Sequence, residues 1–82
     1  MEQIARTSKQ IGAAIRRSRR NAGLSQAELG NKINLRQATI SALEKGEPGT
    51  QLRTVIDAMT ALGLEMVIRD RSKAADKIED LF

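Results

Sequence analysis

Four residues that tolerate a left-handed backbone divide this 82-residue chain into short segments: Gly23, Asn34, Gly46 and Gly63. Between them, apolar residues recur at steps of three and four, which predicts a succession of short amphipathic helices. Phe82 is the one aromatic residue, so the core must be aliphatic. We therefore expect a mainly α fold of four to five packed helices.

The first two helices have recognisable starting signals. Thr7 and Gln10 have the spacing of the Ncap and N3 residues of a capping box, in which each side chain bonds the backbone of the other. Ser25 and Glu28 repeat that spacing. Helix 1 is thus predicted to begin directly after Thr7 and to end before Gly23, and helix 2 to cover residues 26–32.

Two further helices are predicted in the second half of the chain. Helix 3 is expected from Arg36 to Lys45, before a loop that contains glycine and proline. Thr50 is the expected cap of helix 4. The apolar residues of helix 4 form a regular stripe, and all are predicted to be core: Leu52, Val55, Ile56, Met59 and Leu62.

After helix 4 the periodicity changes from helical spacing to alternation. The apolar series Leu64, Met66 and Ile68 alternates with Glu65, Val67 and Arg69, as in a half-buried strand. A single strand leaves its backbone groups unpaired, so we expect it to pair with the same strand of a second copy in a homodimer. The alternative is an extension that packs on its own subunit. The domain is predicted to span residues 1–71, with residues 72–82 as a mobile tail.

The chain has no cysteine and no histidine, and this limits the chemistry that it can perform. Disulfides, thiolate nucleophiles, imidazole bases and the usual zinc ligands are all excluded. We expect no enzyme, no metal and no cofactor. No apolar run approaches the roughly 18 residues of a membrane span, and the N-terminal residues lack the apolar region of a signal peptide. A cytoplasmic protein is expected.

Positive charge is concentrated in the N-terminal half of the chain. Residues 1–46 carry nine Lys or Arg and three Asp or Glu, a balance of +6, whereas residues 47–82 carry five and seven, a balance of −2. The N-terminal half is therefore the candidate for contact with a polyanion. The alternative is a solvated basic face. Single-stranded RNA is disfavoured as the polyanion, because its bases usually stack on aromatic side chains.

Helix 3 has one apolar side and one small, polar side. At about 100° per residue, Arg36, Ile40 and Leu43 share the first side, while the second carries Gln37, Ala38, Ser41, Ala42 and Lys45. Small residues let a helix enter the DNA major groove, where Gln37 can pair with an adenine edge. Arg36 can reach guanine or phosphate. Thr39, at the boundary, can contact a thymine methyl group or a phosphate.

Residues 24–46, LSQAELGNKINLRQATISALEKG, resemble the helix-turn-helix of the lambda-repressor-like (XRE) family. The departures are Gly30, where the family usually has Ala, and Asn34, where it usually has Gly. The resemblance implies a lambda-repressor-like fold in which Gln26 holds a phosphate. It implies base contacts from Arg36, Gln37, Ala38, Thr39 and Ser41, and a core that includes Leu29, Ile33, Ile40 and Leu43. The full set of predicted phosphate contacts is Ser25, Gln26, Lys45 and Thr50, although Lys45 and Thr50 can equally be ordinary surface.

The resemblance extends beyond the helix-turn-helix. TVIDAMTAL followed by GLEMVIRDR is similar to the HipB-type antitoxins, whose short strand pairs between protomers. This similarity implies a dimeric repressor that binds palindromic operator DNA of its own operon and sequesters a HipA-like serine/threonine kinase toxin. The alternatives are a stand-alone repressor of the same family, an antitoxin of another toxin class, or a protein-interaction module that uses the same helices.

Four arginines crowd helix 1: Arg16, Arg17, Arg19 and Arg20. Like charges on successive turns repel, so at least one should pair with a carboxylate. Glu44 of helix 3 is the best placed partner, and the family resemblance also suggests an Arg–Glu link between these helices. We expect Arg16 or Arg19 in that role. The others are possible phosphate contacts or charges that serve solubility.

Overall fold

The computed structural model describes residues 2–71. These residues form four α-helices and include no β-strand: α1 (Ser8–Asn21), α2 (Gln26–Lys32), α3 (Gln37–Lys45) and α4 (Leu52–Ala61). The prediction of a mainly α fold is confirmed, with the helix count at the lower end of the predicted range. The predicted tail, residues 72–82, lies outside the described residues.

The starting signals of α1 and α2 act as the sequence indicates, with one difference. The Ser25 hydroxyl accepts from Glu28 N, and the Glu28 carboxylate accepts from Ser25 N, both at 3.0 Å. Thr7 Oγ1 likewise accepts from Gln10 N at 3.1 Å. The Gln10 side chain, however, accepts from Arg6 N at 2.6 Å instead of from the threonine backbone. The bounds predicted for helix 2 are confirmed.

The predicted helix stops adopt left-handed backbone. Gly23, Gly46 and Gly63 have φ between 71° and 74°, and Asn34 has φ 58°. After α1, Leu24 N donates to Arg19 O at 3.1 Å, the long hydrogen bond of a Schellman motif. This geometry is the physical reason why the chain turns sharply between successive helices.

The starts of α3 and α4 each lie one residue later than the sequence suggests. Arg36 is the Ncap of α3, with extended backbone at φ −74° and ψ 152°, and not its first helical residue. Gln51, not Thr50, is the Ncap of α4. The reason is the preceding loop, in which Thr50 N donates to Glu47 O at 3.2 Å and so closes a turn before the helix begins.

The core is aliphatic, as predicted. Its buried members are Ile15, Leu29, Ile40, Leu43, Val55 and Ala58, and Met59 and Leu62 pack against them from α4. The core prediction for the α4 stripe is wrong at two positions, because Leu52 is 63% exposed and Ile56 is 45% exposed. The apolar stripe of α4 is wider than the surface that the other three helices offer to it, so one edge stays uncovered.

Two glycines allow close approach of neighbouring backbone. A Cβ added at Gly12 of α1 would lie 2.5 Å from Leu43 O and 2.6 Å from Glu44 O of α3. A Cβ added at Gly30 would lie 2.5 Å from Leu35 O. Glycine at position 30 is therefore required by the local geometry of this chain, since alanine there would force the turn at Leu35 to shift. Gly12 fixes how deeply α1 packs against α3.

Residues 64–71 follow α4 without helical or strand structure. Met66, Val67 and Ile68 are 48%, 66% and 94% exposed, so the last two side chains are largely uncovered by their own subunit. Arg69 Nη1 lies 3.1 Å from Glu2 Oε1 in an exposed ion pair. Pairing of residues 64–69 with a second copy stays a prediction.

Among residues 2–71, no helix combines the length and the apolar composition that crossing a membrane requires.

Candidate nucleic-acid interface

The predicted base-contacting residues belong to one helix whose opposite side is anchored in the core. Ile40 and Leu43 are buried beneath α3, while Gln37 and Ala38 are exposed and Ser41 is partly exposed. Their spacing places Gln37, Ala38 and Ser41 on the same side of the helix. The apolar side therefore holds the helix in place while the small, polar side remains accessible.

The two boundary residues of this face are placed differently. Arg36 is exposed and, as the Ncap, precedes the regular helix, so its direction does not follow from helical periodicity. Thr39 is partly exposed, and its N donates to Arg36 O at 3.0 Å in the first turn. Both side chains flank the face at its N-terminal end, where they extend the accessible surface.

A buried ion pair links α1 to the end of α3. Arg19 Nε donates to Glu44 Oε2 at 2.7 Å and Arg19 Nη2 donates to Glu44 Oε1 at 3.0 Å, with the two side chains 9% and 3% exposed. Arg19 Nη1 donates to Leu24 O at 2.8 Å. Of the two arginines that the sequence proposed for Glu44, the structure selects Arg19. The reason is position, because Arg19 follows Gly12 and Ile15 on the buried face of α1.

The pair holds both partners in their charged forms. Burial raises the pKa of Glu44, but hydrogen bonds from Arg19 and Gln26 and the positive charges of Arg19 and Arg16 lower it more, so the pKa lies below its ordinary value. The pKa of Arg19 is raised by its hydrogen bond to Glu44, against desolvation by burial, with the charge of Glu44 adding to the rise. Glu44 is therefore a carboxylate at neutral pH.

Gln26 joins this network, which the sequence did not reveal. Its Nε2 donates to Glu44 Oε1 at 3.2 Å, and the side chain is partly buried. The residues are 18 positions apart, so no local spacing signals the bond. The bond fixes the orientation of the Gln26 amide at the start of α2. The remaining N–H of that amide and its carbonyl stay available for other partners.

The four predicted phosphate contacts differ in their surroundings. Gln26 and Lys45 line the same concave surface, together with Ser41. Ser25 and Thr50 do not line it. The Ser25 hydroxyl oxygen accepts from Glu28 N as an N-cap. Thr50 is partly buried in the loop before α4.

One more local charge effect lies at the start of α2. Hydrogen bonds from the Ser25 backbone and side chain lower the pKa of Glu28, with a further contribution from the charge of Lys32. This carboxylate is committed to the capping box. It therefore stabilises the first turn of α2, which presents Gln26.

Comparison with known proteins places the whole arrangement in one family. Residues 10–71 match the family described as a helix-turn-helix domain. Antitoxin HipB of Escherichia coli O6:H1 is 35% identical over 66 residues, which are 80% of this chain and 70% of that protein. Antitoxin HipB of Escherichia coli K12 is also 35% identical over 66 residues, 80% of this chain and 75% of its own length.

Solved structures agree with the sequence comparison. A HipB–O2 20-mer complex has a TM-score of 0.81 and 33% identity and covers 88% of this chain and 100% of its own. A HipA–HipB–O2–O3 complex has a TM-score of 0.79 and 32% identity, with coverage of 87% and 100%. A HipB–O4 20-mer complex has a TM-score of 0.80 at 32% identity, again with coverage of 87% and 100%. The chain belongs to the helix-turn-helix family of HipB-type antitoxins.

Proposed function

We propose that this chain is a sequence-specific DNA-binding dimeric repressor and the antitoxin of a HipBA-type pair. The observation that carries the proposal is the accessible face of α3, which is small and polar and is held rigidly by a buried core and the Arg19–Glu44 pair. A rigid helix with such a face suits the major groove. The proposed role of the protein is binding and not catalysis. Its proposed location is the cytoplasm.

In this proposal α3 reads bases directly. Gln37 pairs with an adenine edge, and Arg36 reaches guanine or phosphate from the Ncap position. Ala38 and Ser41 allow close approach, and Thr39 contacts a thymine methyl group or a phosphate. The backbone of the DNA is held by Ser25, Gln26, Lys45 and Thr50.

The dimer supplies two copies of the reading helix. Residues 64–69 have no helical structure and expose the side chains of Met66, Val67 and Ile68, and α4 leaves Leu52 and Ile56 uncovered. Pairing Leu64, Glu65, Met66, Val67, Ile68 and Arg69 with the same residues of a second copy satisfies the backbone groups and buries apolar surface. Two-fold symmetry then calls for a palindromic operator with half-sites about 34 Å apart.

The second proposed partner is a HipA-like serine/threonine kinase toxin. Support comes from the similarity to HipB in the HipA–HipB–O2–O3 complex. Co-expression with a HipA-like kinase encoded beside this chain should yield a complex that survives purification. If the kinase does not co-purify, the function reduces to that of a stand-alone repressor.

Base reading is tested by substitution on α3. Gln37→Ala and Arg36→Ala should each weaken binding to the promoter fragment of the chain's own operon by about 1–3 kcal/mol, with little effect on a scrambled duplex. Gln26→Ala is the matched control, since removing a phosphate-binding group weakens both duplexes equally. Unchanged promoter affinity in both α3 variants would contradict the proposal. Electrophoretic mobility shift or fluorescence anisotropy measures the difference.

The strand pairing is tested by charge substitution at adjacent positions. In a strand, Ile68 and Val67 point to opposite faces. Ile68→Asp should place a charge on the apolar series with Leu64 and Met66 and shift the chain toward monomer. Val67→Asp, the control, should weaken the dimer less. Sedimentation equilibrium measures both, and equal dimer stability in wild type and Ile68→Asp would overturn the predicted pairing.

A further inference from the structure

A concave surface that encloses a volume of about 390 Å³ lies between the exposed sides of α1 and α3. Gln26 and Ser41 line it together with basic residues of both helices. Its lining consists of Arg16, Arg19, Arg20, Gln26, Ser41, Glu44 and Lys45. Its opening therefore adjoins the α3 face that the proposed function assigns to base reading, because Ser41 belongs to both surfaces.

The single acidic residue of this lining is already fully engaged. Glu44 accepts two hydrogen bonds from Arg19 and one from Gln26, all within 3.2 Å. Its charge is neutralised mainly by Arg19, with which it is buried. Little acceptor capacity remains for the other cations of the concave surface.

Three cations of the lining are exposed, and the charge of one of them, Arg16, contributes to the lowered pKa of Glu44. Arg16, Arg20 and Lys45 are all exposed, and within residues 2–71 none of their side chains forms a hydrogen bond or a salt bridge. Arg17 differs, since its Nε and Nη2 donate to Gln3 Oε1 at 2.9 and 2.7 Å, and it does not line the surface. The four arginines of α1 thus divide into one buried, one bonded to the N-terminal segment, and two directed to the concave surface.

We infer that this surface is a phosphodiester-binding cradle in which Arg16 and Arg20 of α1, opposite Lys45 of α3, contact the DNA backbone beside the bases that α3 reads. Guanidinium groups bind phosphate oxygens with two parallel hydrogen bonds. Glu44 acts as a positioning residue, because its bond to Gln26 fixes that amide at the edge of the cradle. The inference rests on the proposed function and names two phosphate-binding residues that lie outside the helix-turn-helix itself.

The test is the salt dependence of DNA binding. The slope of log K against log salt changes by about 0.9 for each phosphate that the protein no longer neutralises. Arg16→Gln and Arg20→Gln should each reduce the slope by about that amount, so affinity falls about 3.5-fold less between 50 and 200 mM salt. The double variant should fall about 12-fold less. Arg17→Gln removes the same charge and should retain the wild-type slope.

The probe is the promoter fragment of the chain's own operon, with a scrambled duplex beside it, and the measurement is fluorescence anisotropy on the full chain. Circular dichroism confirms that each variant is folded, which is expected because both arginines are exposed. If the wild type binds neither duplex, the proposed function fails. If the wild type binds and all three single variants share its slope, the cradle is wrong and the proposed function stands.

Discussion

The Arg19–Glu44 pair should be the most sensitive polar interaction in this domain. Arg19→Met removes two of the three donors to the Glu44 carboxylate, which is 3% exposed, and it also leaves the Leu24 carbonyl without its 2.8 Å donor. Breaking a buried pair on one side destabilises a protein by about 3–5 kcal/mol. Since the free energy of unfolding of a small domain is about 5–15 kcal/mol, this change removes a large share of the stability.

A double-mutant cycle separates the pair from its surroundings. Glu44→Leu leaves the Arg19 charge buried, and we expect a loss of about 3–5 kcal/mol again. In the double variant Arg19→Met/Glu44→Leu no charge remains, so the loss should be about 1–3 kcal/mol, from the Leu24 carbonyl and the Gln26 amide that lose partners. The coupling free energy is therefore at least about 3 kcal/mol.

Urea unfolding followed by circular dichroism measures the free energies of unfolding of the wild type, the two single variants and the double variant. Protein concentration must be the same throughout, because a dimer gains stability with concentration. Exposed ion pairs give coupling of about 0.2–1 kcal/mol. A coupling within that range would refute the reasoning, since it would mean that the pair is as well solvated as a surface pair.

Three further predictions concern stability alone. The pKa of Glu44 is lower in the folded chain than in the unfolded chain, so the stabilisation from its charge is complete above the unfolded pKa and is lost as pH falls through the folded value. Urea midpoints measured from pH 7 to 3 should therefore fall less in Glu44→Gln than in the wild type. Gly12→Ala should lower the free energy of unfolding by about 1–3 kcal/mol, as its Cβ meets α3 backbone. Gly49→Ala, where a Cβ meets nothing within 4 Å, is the control, and equal melting temperatures would contradict the close-packing argument. Asn34→Ala should cost about 1 kcal/mol at φ 58°, whereas Asn34→Gly should not, and thermal melts that fail to separate these two would rule out backbone strain.

Much of the site follows from the sequence because its signals are local. Gln37 and Ser41 share the accessible side of α3 through helical periodicity, which depends only on spacing along one helix. The prediction that Gln26 contacts a phosphate follows from the resemblance to the helix-turn-helix pattern. Its bond to Glu44 does not, because the bond joins residues whose separation in sequence says nothing about their distance in space.

The sequence by itself determined where the helices begin and end, to within one residue. Capping side chains act over three residues, and left-handed positions such as Gly23 and Asn34 act on their own backbone, so neither needs tertiary contacts. The aliphatic core and the polar side of α3 follow from periodicity in the same way.

Only the tertiary structure decided which arginine pairs with Glu44 and which apolar residues stay uncovered. Arg16 and Arg19 are three residues apart on one helix, and the choice depends on the rotation of α1 that packing at Gly12 imposes. Ile56 belongs to an apolar stripe, yet whether it is buried depends on how much surface neighbouring helices offer. Spacing states which residues share a side of a helix, whereas burial depends on what lies against that side.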